Sequence, residues 1–188
     1  MTVVPDLETA RLILRPLALD DAPAIQREFP HWEIVRLMAP TIPWPYPEDG
    51  ADFYVRHIAL PAMELGEAWH WSLRPKSSPD SLIGVISLIE SEDENRGFWI
   101  ARAWQRQGLM TEACNRVTDF WFDALGKTVL RAPKAIENLA SRRISEQSGM
   151  RICKVIDKEL VGGTFPTEIW EVTAEEWRQR SFMQNRFA

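Results

Sequence analysis

One segment constrains the fold more than any other, because within it the chain changes period. Phe98-Trp99-Ile100-Ala101 is a short apolar run suited to a buried strand. Further on, Ala113, Val117, Phe120, Trp121 and Ala124 recur at helical spacing, and Gly126 stands where a helix would end. Between the two lies Gln105-Arg106-Gln107-Gly108-Leu109-Met110-Thr111-Glu112. A strand turning abruptly into a helix leaves the first helical N–H groups without intrahelical partners. With the positive end of the helix dipole, those donors form a site for phosphate oxygens. Gly108 lets a ligand approach the backbone, and Arg106 can add a charged contact. A single glycine between strand and helix also occurs in plain loops. Neither Gly-x-x-x-x-Gly-Lys-Ser/Thr nor Gly-x-Gly-x-x-Gly is present, which argues against a P-loop or a dinucleotide fingerprint.

A chain of 188 residues suits one domain, 1–188, with a substantial core. Its nine tryptophans are expected mostly in the core or in pocket walls. The net charge of −5 argues against nucleic acid as the main partner but allows a local basic pocket. Met1-Thr2-Val3-Val4-Pro5-Asp6 lacks the pattern of a signal peptide, and no apolar run approaches the roughly 20 residues that span a bilayer. Cys114 and Cys153 read as free thiols, and no cluster suggests a metal. The expected setting is cytoplasmic, without membrane contact.

Along the chain, Leu7 to Leu17 reads as a first strand. A helix follows with Pro23 in its first turn, then a loop dense in proline that carries Trp44 and Tyr46. A second helix has Ala51, Val55, Ile58 and Ala62 on one face, and Pro61 predicts its end or a bend. Strands at 69–73 and 82–89 form a hairpin, followed by the acidic turn from Glu90 to Asn95. After the strand–loop–helix unit come a strand from Thr128 to Ala135, a short helix opened by Asn138 and closed by Gly149, and a last hairpin. Thr173-Ala174-Glu175-Glu176 fits a capping box for a terminal helix.

Together these pieces resemble the GNAT acyl-CoA N-acetyltransferases, in particular the ribosomal-protein alanine N-acetyltransferases of the RimJ/RimL type. The resemblance rests on Leu7-Glu8-Thr9-Ala10-Arg11-Leu12, Leu82-Ile83-Gly84-Val85-Ile86, Gln105-x-x-Gly108-x-Met110-Thr111-Glu112-Ala113 and Asn138-Leu139-Ala140-Ser141 to Gly149-Met150. It covers nearly the whole chain and departs at Met110, where glycine or alanine is more usual. It implies an α+β fold, an α/β/α sandwich around a mixed, mostly antiparallel sheet splayed between strands 97–102 and 128–135. Acetyl-CoA, with no metal, would lie in that splay, held by Ile100, Ala101, Arg102, Arg106, Gln107, Gly108, Leu109, Met110, Thr111, Asn138 and Ser141. Pro133, which lacks a donor, suits a strand parted from its neighbour, or a bulge.

The implied reaction is direct attack of an amine on the thioester through a tetrahedral oxyanion, with a main-chain N–H near Ile100 or Ala101 stabilising the charge. The acceptor would be a protein N-terminal α-amine or a small amine, and the chain a monomer or homodimer. Ser141 is the candidate donor to the leaving thiolate, or else bonds the backbone of its own helix. Asn138 caps that helix or holds the pantetheine arm. Glu90 is the candidate base, or else an exposed turn residue, and the acidic edge with Glu92 and Asp93 would attract a cationic acceptor. Trp44 and Tyr46 would line the acceptor pocket, or pack beneath the loop. His31, His57 and His70 read as packing or surface residues. A catalytically silent acyl-CoA-binding module would keep the same phosphate loop.

Overall fold

Alternation sets the two faces of the central sheet: Trp69, Trp71 and Leu73 point one way, His70 and Ser72 the other. A computed structural model describes residues 4–186, so Met1-Thr2-Val3 lie outside the described residues. Five antiparallel strands run in chain order: β1 (Leu7–Glu8), β2 (Leu12–Pro16), β3 (Ala68–Pro75), β4 (Gly84–Ile89) and β5 (Arg96–Ile100). A second antiparallel sheet holds β6 (Val129–Ala135), β7 (Arg151–Leu160) and β8 (Gly163–Thr173) in the order β6-β8-β7. The single strand expected over Leu7 to Leu17 is a hairpin instead. The Thr9 N–H donates to Leu12 O (3.0 Å) and the Leu12 N–H to Thr9 Oγ1 (2.9 Å), which turns the chain back.

The helices are α1 (Ala22–Glu28), α2 (Trp32–Val35), α3 (Gly50–Tyr54), α4 (Leu60–Leu65), α5 (Leu109–Asp119), α6 (Leu139–Gln147) and α7 (Ala174–Arg186). Pro61 neither ends nor breaks the second predicted helix. A π turn, Val55–Ala59, precedes it, and Pro61 falls in the first turn of α4, where a missing N–H costs nothing. The predicted capping box forms at α7: the Glu176 N–H donates to Thr173 Oγ1, and the Thr173 N–H to Glu176 Oε2. Before α6, Asn138 Oδ1 accepts from the Ser141 N–H at 3.1 Å.

Helix α5 lies across both sheets. Its buried face (Met110, Ala113, Cys114, Val117) meets Trp71, Ile86 and Leu88 of the first sheet and Leu130, Ala132 and Trp170 of the second. A π turn, Phe120–Ala124, extends it and buries three consecutive aromatics, Phe120, Trp121 and Phe122. On the opposite face α1 and α3 cover Val85 and Trp99 with Ile25, Phe29, Ala51 and Val55. Helices on both sides of the sheets make the expected α+β sandwich.

Where the sheets meet, Asn95 stands in for a missing rung. Its N–H donates to Arg131 O (2.8 Å), its Oδ1 accepts from the Arg131 N–H (2.8 Å), and its Nδ2 donates to Ile89 O (3.3 Å). Replacing Asn95 with leucine keeps its main-chain bond but removes the side-chain bonds and leaves the part-buried Arg131 N–H without its acceptor. Urea unfolding is expected to show a loss of about 2–4 kcal/mol, because each orphaned buried group costs about 1–3 kcal/mol.

Candidate active site

The first main-chain bond of α5 is from the Glu112 N–H to Gly108 O (3.1 Å). Ahead of it, the N–H groups of residues 106–111 have no hydrogen-bond partner among the described residues. Arg106 (φ 61°) and Gly108 (φ 76°) are left-handed, which turns successive donors toward one concave side. Gln105 to Gly108 are exposed, whereas Leu109 and Met110 are buried. The larger Met110 side chain therefore fills the core and leaves the loop open.

The loop is fixed from β1 and β2, a link the sequence motifs did not reveal. Thr9 Oγ1 donates to Glu112 Oε2 (2.6 Å), Arg11 Nε to Glu112 Oε1 (2.7 Å), and Arg11 Nη1 to Gln107 O (3.0 Å). Burial alone would raise the Glu112 carboxyl, but the bonds from Thr9 and Arg11 hold it below the usual range. A Cβ on Gly108 would stand 3.4 Å from Arg11 Nη2, so a guanidinium edges the same concavity. Arg102 is exposed at the end of β5 and pairs with Glu33 at 3.9 Å.

Beyond Asn95 the sheets part. The bond from the Ala101 N–H to Ile83 O (2.7 Å) and the β4–β5 register put the odd residues of β5 toward β4. The N–H and C=O groups of Phe98 and Ile100 therefore face β6. This corrects Ala101 as an oxyanion donor, because its N–H is already bonded to Ile83 O; the N–H groups of Ile100 and Phe98 have no such partner. On β6 the bond from the Ile136 N–H to Pro166 O (2.9 Å) sets the even residues toward β8, so Arg131, Pro133 and Ala135 face β5. Pro133 has no donor to strand, and Gln105 Nε2 reaches Ile100 O at 3.2 Å. The cleft thus offers unpaired main-chain groups that an extended amide chain could satisfy.

Two cations lie buried on the α5 side of this cleft. Arg96 is 2% exposed and Lys134 6%. Lys134 Nζ spans from β6 to the Phe98 ring, 4.6 Å from its centroid. Burial first, then the Arg96 charge, lowers the Lys134 ammonium to about 7. Ser141 is buried on α6, and its hydroxyl has no partner among the described residues, so it does not bond its own helix backbone. Asn138 caps α6.

On the other face, a polar row crosses three strands: His70, Ser87 and Gly97 are register partners. His70 Nδ1 lies 2.7 Å from Ser87 Oγ and 3.4 Å from the Tyr54 hydroxyl. Burial lowers the His70 imidazole to about 4, leaving it neutral near pH 7. A Cβ on Gly97 would meet nothing within 4 Å, so the row opens onto free space beside the cleft. Tyr46 packs on Phe29 (5.3 Å), which packs on Trp99 (5.2 Å), whereas Trp44 stands at the surface against Trp32 (5.3 Å).

Glu90 is not brought to this cleft. It pairs with Lys127, beyond the C-terminal end of α5, while the phosphate loop lies at the N-terminal end. The 16 residues from Leu109 to Ala124 separate the two ends by roughly 24 Å at about 1.5 Å per residue. Of the acidic edge, Glu90 and Asp93 are ion-paired, Asp93 with Arg131 and Lys154, whereas Glu92 has no ion pair among the described residues.

Among the described residues no group of three or more His, Cys, Asp or Glu is placed to hold a metal, and no helix is long and apolar enough to cross a membrane. The acetyltransferase (GNAT) domain profile matches residues 11–151. YdaF of Bacillus subtilis, named a "Putative ribosomal N-acetyltransferase", is 33% identical over 73 residues, 37% of this chain and 40% of its own length. The chain thus matches less than half of that relative. Among solved structures, the ribosomal-protein-S5-alanine acetyltransferase of Vibrio fischeri superposes with a TM-score of 0.77 at 15% identity, covering 92% of this chain and 98% of that one. The spermidine N-acetyltransferase of Vibrio cholerae, in complex with CoA and spermine, gives 0.75 at 18% identity, covering 90% and 99%. At those identities the likeness is one of fold. With three quarters of its length matched by the family profile, the chain belongs to the acetyltransferase (GNAT) domain family.

Proposed function

We propose that the protein is an acetyl-CoA-dependent N-acetyltransferase acting on a primary amine, either a protein N-terminal α-amine or a small amine. One observation carries this reading: a run of unpartnered N–H groups at the head of α5 is continuous with the unpaired edges of β5 and β6. A diphosphate suits the first and an extended amide arm the second. Two structural neighbours, by their names, act on a ribosomal-protein alanine and on spermidine, and both acceptors present amines.

Bound acetyl-CoA would supply an activated acyl group. The N–H groups of residues 107–110, with Arg11 and Arg106 beside them, hold the diphosphate. The Phe98 or Ile100 N–H stabilises the oxyanion of the tetrahedral adduct. Ser141 offers its free hydroxyl to the sulfur. The acceptor enters from the His70–Ser87–Gly97 side, with Tyr46 and Phe29 as apolar wall and Trp44 at the rim. Among the described residues no carboxylate bonds to His70 or Ser87, and the neutral His70 is too weak a base to hold a proton at pH 7. An α-amine, whose pKa is about 7.7–8.0, can lose its proton to water there.

Three outcomes are expected. Gly108→Val forces a β-branched side chain into a left-handed position and into the phosphate site, so calorimetry should show CoA affinity falling at least about tenfold, about 1.4 kcal/mol. Gly97→Val should raise the KM for the amine about tenfold and leave CoA affinity unchanged, because it fills only the acceptor side. For a peptide acceptor, kcat/KM should climb as pH rises from about 6 to about 7.5, following the α-amine. Tight CoA binding without thiol release across a panel of amines would instead mark a silent acyl-CoA-binding module.

A further inference from the structure

Lys134 and Arg96 lie outside the loop at residues 105–111 and, among the described residues, belong to no ion pair. Burying charge without a counterion is expensive, so two such residues side by side need a reason. Arg96 Nη1 donates to Thr118 Oγ1 (2.8 Å) and Nη2 lies near Met150 Sδ (3.4 Å), while its buried Nε has no partner. Lys134 crosses the gap between the parted strands, and its Nζ sits over Phe98, whose N–H faces the same gap. The titratable and charged groups around it are Arg96 from β5, Cys114 from α5 and Glu168 from β8. Glu168 is already held by Arg142 of α6 through two bonds of 2.8 and 3.0 Å. Positive charge therefore stands without a counterion beside the gap between β5 and β6.

We infer that Lys134 is the proton donor to the departing CoA thiolate, an inference that rests on the acetyltransferase reading above. As the tetrahedral adduct collapses, the oxyanion pair re-forms the C=O bond and the C–S pair leaves on sulfur. A proton moves from Lys134 Nζ to that sulfur, giving CoA thiol and a neutral lysine. The amide nitrogen releases its surplus proton to water, and Lys134 regains one from water. Burial suits the side chain to this task. An ordinary lysine at about 10.4 would keep its proton against a thiolate whose acid is about 8.5. Lowered to about 7, Lys134 gives it up, with roughly a 30-fold advantage from that difference. Ser141 then orients the sulfur as a hydrogen-bond donor.

The test does not need the acceptor. The ultraviolet thiolate absorbance of CoA bound to the full chain, taken as a difference from the protein alone, is titrated with pH in wild type, Lys134→Met and Lys134→Arg. Above pH 7 Lys134 gives up its proton first, so the bound thiol should ionise at nearly the same pH in wild type and Lys134→Met, and about one pH unit or more lower in Lys134→Arg, where a cation still faces it. Lys134→Met is close in volume and removes a buried charge, so it should fold and unfold at an equal or higher temperature at pH 7. With any amine that is turned over, its kcat should fall about 30-fold or more, with KM for acetyl-CoA within about threefold. Lys134→Arg, which keeps the charge but cannot release the proton, should combine that lowered thiol midpoint with a loss of kcat. Equal thiol midpoints in wild type and Lys134→Arg would place the side chain away from the sulfur and overturn the inference while leaving CoA binding intact. No CoA binding by wild type would overturn the acetyltransferase reading, and this inference with it.

Discussion

The structure depends on one helix packing against two sheets that barely touch. Asn95 and Arg131 supply the hydrogen bonds that join β5 to β6. Ion pairs from Asp93 and Glu94 to β6 and β7 add to these at the same end, and along the gap itself apolar contact with α5 holds the two sheets. Hydrophobic packing is not directional, so it can clamp two sheets together without asking their facing edges to pair. The gap therefore stays open along its length while remaining rigid. The same helix presents its unpartnered N-terminus to the mouth of that gap, so the phosphate loop and the cleft are aligned by one element. Glu112 ties that end to β1 and β2, which makes the hairpin at Thr9 to Arg11 part of the site although it touches none of the cleft.

Much of this was legible in the sequence. The change of period around Gly108, the cap at Asn138 and the box at Thr173 are local signals, and local hydrogen bonding decides them. Elements set by distant partners were harder to read. The turn within Leu7 to Leu17 depends on Thr9 folding back, and the helix at Trp32–Val35 has no periodicity to announce it. The π turns at Val55–Ala59 and Phe120–Ala124 insert a residue into a helical pattern that still reads as continuous.

Site residues divide along the same line. The loop residues follow from backbone geometry, which the motif carries. Which strand residues face the cleft depends on register with β4 and β8, and that register turns the Ala101 N–H away from the gap and the Phe98 and Ile100 N–H groups toward it. Lys134, inside a strand that otherwise reads as apolar, looked unremarkable because exposure cannot be read from one sequence. Glu90 illustrates the opposite case, a side chain the structure places in an ion pair with Lys127. An acidic run near a strand end suggested chemistry, but Lys127, Arg131, Lys154 and Lys158 have been spent on that run as structural partners.

Pro133 has a further meaning for how such a molecule keeps its shape. Two neighbouring strands with vacant edges have every tendency to anneal, and annealing here would erase the channel. Any other residue at that spot would present an amide hydrogen toward β5 and allow the seam to propagate upward from Asn95. An imino acid halts it one step beyond Arg131. The opening is thus written into the covalent chain, so it would persist even in the absence of any guest.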